Sequence, residues 1–166
     1  MTTPLTKQNI FPEWWASAAP FALVGVACVV VGGLVSAIAA SSPSENSSWA
    51  VAYLVLVAGV AQIALGVGQS RLASTPPSRQ VLLAEFLTWN LGNAAVIAGQ
   101  LLGFQAAVDA GGVLLVISLA LLFRGVRGAL PAVRGSIWTL YVYRAVLLII
   151  LVSIPIGLVI GHVKAS

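Results

Sequence analysis

Ala22–Ala40 reads ALVGVACVVVGGLVSAIAA, with no charged side chain anywhere along it. A helix rises about 1.5 Å per residue, so roughly 20 apolar residues cross a hydrocarbon core of about 30 Å. A barrel strand would instead place a polar residue at every second position. Neither this stretch nor Ala145–Val159 shows that alternation, so both read as membrane-spanning helices.

The sparse charges mark the remaining spans. No Asp, Glu, Lys or Arg lies between Glu13 and Glu45, Glu45 and Arg71, Glu85 and Asp109, or Arg144 and Lys164. This spacing predicts an all-α, polytopic membrane helix bundle of five transmembrane helices, at about 18–40, 49–69, 80–103, 107–126 and 136–161. Residues 41–48 (SSPSENSS) and 74–78 (STPPS) are breaker clusters, and Gly125, Gly128 and Pro131 interrupt the chain before the last span. The domain organisation expected is an N-terminal cytoplasmic segment over 1–17, one bundle over 18–161 and a tail over 162–166.

Composition agrees. The chain of 166 residues is 60% hydrophobic and 7% charged, against about 25% charged in an ordinary soluble domain. Eight basic and four acidic residues cannot coat a globule of this size, so the lipid bilayer must solvate most of the surface. A soluble enzyme, a nucleic-acid-binding domain and a disordered chain are excluded at this step.

Basic residues orient the bundle. Lys7, Arg71, Arg79, Arg124, Arg127 and Arg134 fall on one side, Lys164 on the other. The positive-inside rule then predicts a multi-pass cell-membrane protein, N-terminus cytoplasmic and C-terminus outside. The net charge of +4 follows from topology, with Arg124, Arg127 and Arg134 beside anionic lipid headgroups. Ala37-Ile38-Ala39 resembles a signal-peptide cleavage site, but the apolar run before it is too long for one, so the first helix is expected to be retained.

Polar groups inside a membrane need an explanation, and the third span holds most of them. At 100° per residue, Glu85, Thr88, Trp89, Gly92, Asn93, Val96, Gly99, Gln100 and Gly103 share one face, opposite Leu87, Leu91, Ala94, Ala98, Leu101 and Leu102. Gly92, Gly99 and Gly103 read as helix-packing positions, Gly99 and Gly103 having small-xxx-small spacing. Thr88, Trp89, Asn93 and Gln100 either bond neighbouring helices or line a polar path with Glu85 as its titratable group. Gln62 in the second span is expected to bond across the bundle, and Asp109 to sit favourably in a first helical turn.

Arg144 is the cation expected deepest in the membrane. Its depth matches that of Glu85, which suggests a buried Glu85–Arg144 ion pair; snorkelling of Arg144 to the cytoplasmic headgroups and direct ligand binding are the alternatives. Trp14, Trp15, Trp49, Trp138, Tyr141 and Tyr143 read as an interfacial aromatic belt. Cys28 reads as an inert packing thiol.

Recognisable chemistry is missing. His162 is the single histidine, and neither a nucleophile elbow, a phosphate loop nor a His-Glu-x-x-His pattern occurs, so no cofactor or metal is expected. The four acids are scattered, giving no acid–base pair. The expectation is a non-catalytic accessory, assembly or scaffold subunit in a homo- or hetero-oligomer. The alternative is a small-solute or ion channel or carrier, formed as a homo-oligomer around the polar face at Glu85.

Overall fold

Serine caps at Ser44 and Ser78 set where the second and third spans begin. The computed structural model describes residue 12, residues 14–127 and residues 137–165, with side chains in the last helix described as far as Pro155. Its helices are α1 (Trp15–Ala39), α2 (Glu45–Leu72), α3 (Arg79–Leu102), α4 (Gln105–Gly125) and α5 (Ile137–Ala165). All five are long and apolar enough to cross a membrane, which makes the chain a multi-pass membrane protein.

The second span starts earlier than the hydropathy suggests, because part of the polar cluster before it is a cap. The Ser44 hydroxyl accepts from the Ser47 backbone N–H at 3.1 Å, and the Ser47 hydroxyl accepts from the Ser44 N–H at 3.0 Å. This reciprocal box satisfies two orphan donors, and Glu45 adds a carboxylate at the positive end of the helix. Ser78 caps α3 through the Val81 N–H. Gly103 closes α3 with φ of +65°, the left-handed conformation that glycine adopts without strain. It therefore acts as a turn residue, and a Cβ there would meet nothing within 4 Å. The packing role expected of Gly103 is replaced by this turn, after which α4 starts at Gln105.

Two antiparallel hairpins result. α1 packs along α2, α3 packs extensively on α4, and α5 lies against α4 and touches α2. Glycines permit both hairpins to close: a Cβ on Gly25 would lie 2.8 Å from the Gly59 carbonyl oxygen, and one on Gly111 2.7 Å from that of Gly92. Within α2, residues Leu54–Ala61 are π-helical, a widened turn that ends at Gln62. The backbone of α5 remains helical to Ala165, past the expected end at 161. Arg134 and the side chains of His162 and Lys164 lie outside the described residues.

The core is shared by four helices. Leu65 of α2, Trp89 of α3, Leu115, Leu119 and Leu122 of α4, and Leu140, Tyr143 and Leu147 of α5 form one buried cluster. α1 packs beside it on α2 and meets α3 where Phe21 lies edge to face with Phe86 at 5.5 Å. The outer face of α1 (Leu23, Val26, Val30, Leu34 and Ile38) is exposed, as a surface solvated by hydrocarbon must be.

Candidate functional site

The polar face of α3 turns into the bundle. Glu85, Trp89, Gly92, Asn93 and Gly99 are buried, Thr88 and Val96 are half-buried, and Gln100 is exposed in the last turn. Glu85 is fully buried, and its Oε1 accepts from Gln69 Nε2 of α2 at 2.7 Å. The Glu85 backbone carbonyl accepts from the Ser118 hydroxyl of α4 at 3.0 Å. Around Glu85, α2, α3 and α4 are thus joined by side-chain hydrogen bonds.

Other polar groups on this face bond within their own helix. Thr88 donates to the Ala84 carbonyl at 2.6 Å, and Asn93 Nδ2 to the Trp89 carbonyl at 2.9 Å. Asn90, off the stripe, does the same with Phe86 at 2.8 Å. Side chains bonding back to the preceding turn lower the cost of placing a polar group in a span without fixing a neighbour.

The expected Glu85–Arg144 ion pair gives way to other partners. Arg144 Nη2 donates to the Val126 carbonyl at 3.1 Å and the Arg127 carbonyl at 3.5 Å, capping the end of α4. Residue counting matches the two depths, but azimuth decides the partner, because successive residues on a helix point 100° apart. Tyr143 takes the inward position, only 7% exposed, and its hydroxyl donates to the Leu65 carbonyl at 3.0 Å. Arg144 is carried round towards the orphan carbonyls at the end of α4, where a cation also meets the negative end of the helix dipole. The guanidinium reaches towards the basic end of the bundle, the direction of the snorkelling alternative.

Tyr143 is accordingly a core residue rather than part of an aromatic belt, whereas Trp138 and Tyr141 are exposed. At the same end, the Arg71 guanidinium lies over the Trp14 ring, 4.4 Å from its centroid, a cation–π contact. Cys28 is half-buried. Asp109 lies in the second turn of α4 and not the first as expected, because the helix starts at Gln105, from whose Nε2 it accepts at 3.2 Å.

Ser118 joins the site only through the packing of α4 on α3, whereas Gln69 carries a signal in the sequence. Gln62 and Gln69 stand one heptad apart, on one face of α2, and both are buried, at 0% and 1% exposure. Tyr143→Phe should lower stability by about 1 kcal/mol, the net worth of one buried hydrogen bond. Detergent-solubilised unfolding checks this, with exposed Tyr141→Phe expected to change nothing.

Among the described residues, several buried polar atoms have no hydrogen-bond partner: Gln62 Nε2 and Oε1, so that the bond expected of Gln62 across the bundle is not made, Glu85 Oε2, Trp89 Nε1, Asn93 Oδ1 and Arg144 Nε. Among the described residues, no three His, Cys, Asp or Glu side chains converge as a metal site would require. Comparison with known proteins gives no match, whether to a family model, a curated protein or a solved structure.

Proposed function

We propose that this multi-pass membrane protein is non-catalytic and acts as an accessory, assembly or scaffold subunit, through contacts between its helices and those of a partner in the bilayer. The observation that carries this reading is the inward turn of the polar seam. Gln69, Glu85, Ser118 and Tyr143 bond one helix of the chain to another, leaving apolar surface outside. In this reading the polar groups fix a rigid platform and the outer faces make the working contacts. The basic end faces the cytoplasm, with Arg71, Arg79, Arg124 and Arg127 beside anionic headgroups.

A second reading, a small-solute or ion carrier centred on Glu85, draws support from the unpartnered Oε2 of that buried residue. In this reading the path follows the polar face of α3, from the buried Glu85 towards Gln100, exposed in its last turn, within a homo-oligomer. Native mass spectrometry of the particle extracted in mild detergent discriminates the two. A stoichiometric heterologous membrane protein is the expected result. A lone chain or homo-oligomer whose ion or solute flux disappears in a folded Glu85→Gln variant would overturn the accessory reading.

A further inference from the structure

Two facing helices hold unpartnered polar atoms over a range of depths. Gln62 lies seven residues before Gln69 in α2, and Asn93 eight residues after Glu85 in the antiparallel α3. Starting from the Gln69–Glu85 bond, these displacements are roughly 10 Å and 12 Å in the same direction along the membrane normal, at 1.5 Å per residue. Gln62 and Asn93 therefore share one level, with Trp89 between them and Glu85.

The atoms left over are chemically complementary. Gln62 Nε2 and Trp89 Nε1 are donors, whereas Gln62 Oε1 and Asn93 Oδ1 are acceptors, as is Glu85 Oε2 when ionised. All four side chains are at most 3% exposed. An unmet buried polar atom is destabilising, and bulk solvent cannot reach these. Ordered water meets such atoms where two to four polar partners surround it. The π-helical turn that ends at Gln62 adds an independent mark, since widened turns of this kind concentrate at functional sites.

We propose that the α2–α3 seam is an internal water-binding site, a polar column from Glu85 past Trp89 to the Gln62–Asn93 level. The bound molecules donate to Asn93 Oδ1 and Gln62 Oε1 and accept from Gln62 Nε2 and Trp89 Nε1. This inference is independent of the accessory reading, because a hydrated seam can serve either a platform or a carrier.

Radiolytic hydroxyl-radical labelling tests it on the whole protein in lipid nanodiscs. Synchrotron irradiation makes radicals from water wherever it is bound, whereas peroxide photolysis makes them only in bulk solvent. Trp89 should be oxidised under irradiation and spared under photolysis. Gln62→Leu combined with Asn93→Leu should abolish the irradiation signal. No Trp89 oxidation in the wild-type chain, or equal oxidation by both methods, would overturn the proposal. So would an unchanged signal in a folded double variant. The single Gln62→Leu change gives a second readout: in a dry seam it deletes two unmet atoms and raises the melting temperature, and that rise would also overturn the proposal. In a hydrated seam no rise is expected.

Discussion

Gly111→Leu should break the α3–α4 hairpin and leave little folded protein in mild detergent, and Gly111→Ala should already be costly. A Cβ on Gly111 would stand 2.7 Å from the Gly92 carbonyl oxygen and 2.9 Å from the Val96 backbone nitrogen. Both atoms belong to the α3 backbone, so no side chain can rotate away and the helices must separate. Overpacking typically costs about 1–3 kcal/mol. Here α3 would also be displaced from Ser118 and Leu115, which places Gly111→Ala at the upper end of that range and Gly111→Leu beyond it. Gly33→Ala is the control, because a Cβ there meets nothing within 4 Å. That change should hold stability constant or raise it by up to about 1 kcal/mol of helix propensity. Thermal unfolding of the purified variants measures the difference. Equal melting temperatures for Gly111→Ala and Gly33→Ala would mean that α3 and α4 are not in backbone contact.

The positions of these glycines show what the sequence does and does not carry. Five spans are legible because lipid makes hydropathy nearly decisive; the helix ends differ by a few residues, at the start of α2 because the Ser44–Ser47 box caps it early. The inward face of α3 is visible from the 100° periodicity of Glu85, Trp89, Gly92 and Asn93. What periodicity cannot supply is the azimuth of one helix against another. Gly99 and Gly103 have the spacing of a packing pair, yet Gly103 is spent on a left-handed turn, while Gly92 finds its counterpart on α4 in Gly111. Arg144 illustrates the same limit. Its depth is readable from residue counting, but the one-residue offset from Tyr143 determines whether it faces Glu85 or the carbonyls of Val126 and Arg127. Pairing across helices separated by many residues depends on the packed structure, and Gln69–Glu85 becomes evident only there.

Replacing Glu85 by Leu should therefore destabilise the bundle through Gln69, not through Arg144. The change leaves Gln69 Nε2 buried opposite a hydrocarbon side chain, at about 1–3 kcal/mol for an unmet donor. Gln69→Leu should cost at least as much, since it removes the hydrogen-bond partner of a fully buried carboxyl group. Combining the two removes both polar ends at once, so the double variant should be more stable than the sum of the single effects predicts. Interhelical hydrogen bonds in membranes give coupling energies of roughly 0.6–2 kcal/mol, and the short Gln69–Glu85 bond belongs in the upper half of that range. The parallel cycle with Glu85→Leu and Arg144→Met should be additive within about 0.5 kcal/mol, as for residues that share no partner, because the guanidinium is held by carbonyls at the end of α4. Both cycles can be read from reversible unfolding in mixed detergent micelles. A Glu85–Arg144 coupling larger than the Glu85–Gln69 coupling would refute this geometry. It would mean that the cation, although bonded to α4, remains the principal electrostatic partner of the buried acid. The cycle thus tests whether Glu85 holds the seam by a hydrogen bond between neighbouring helices or by a charge on α5.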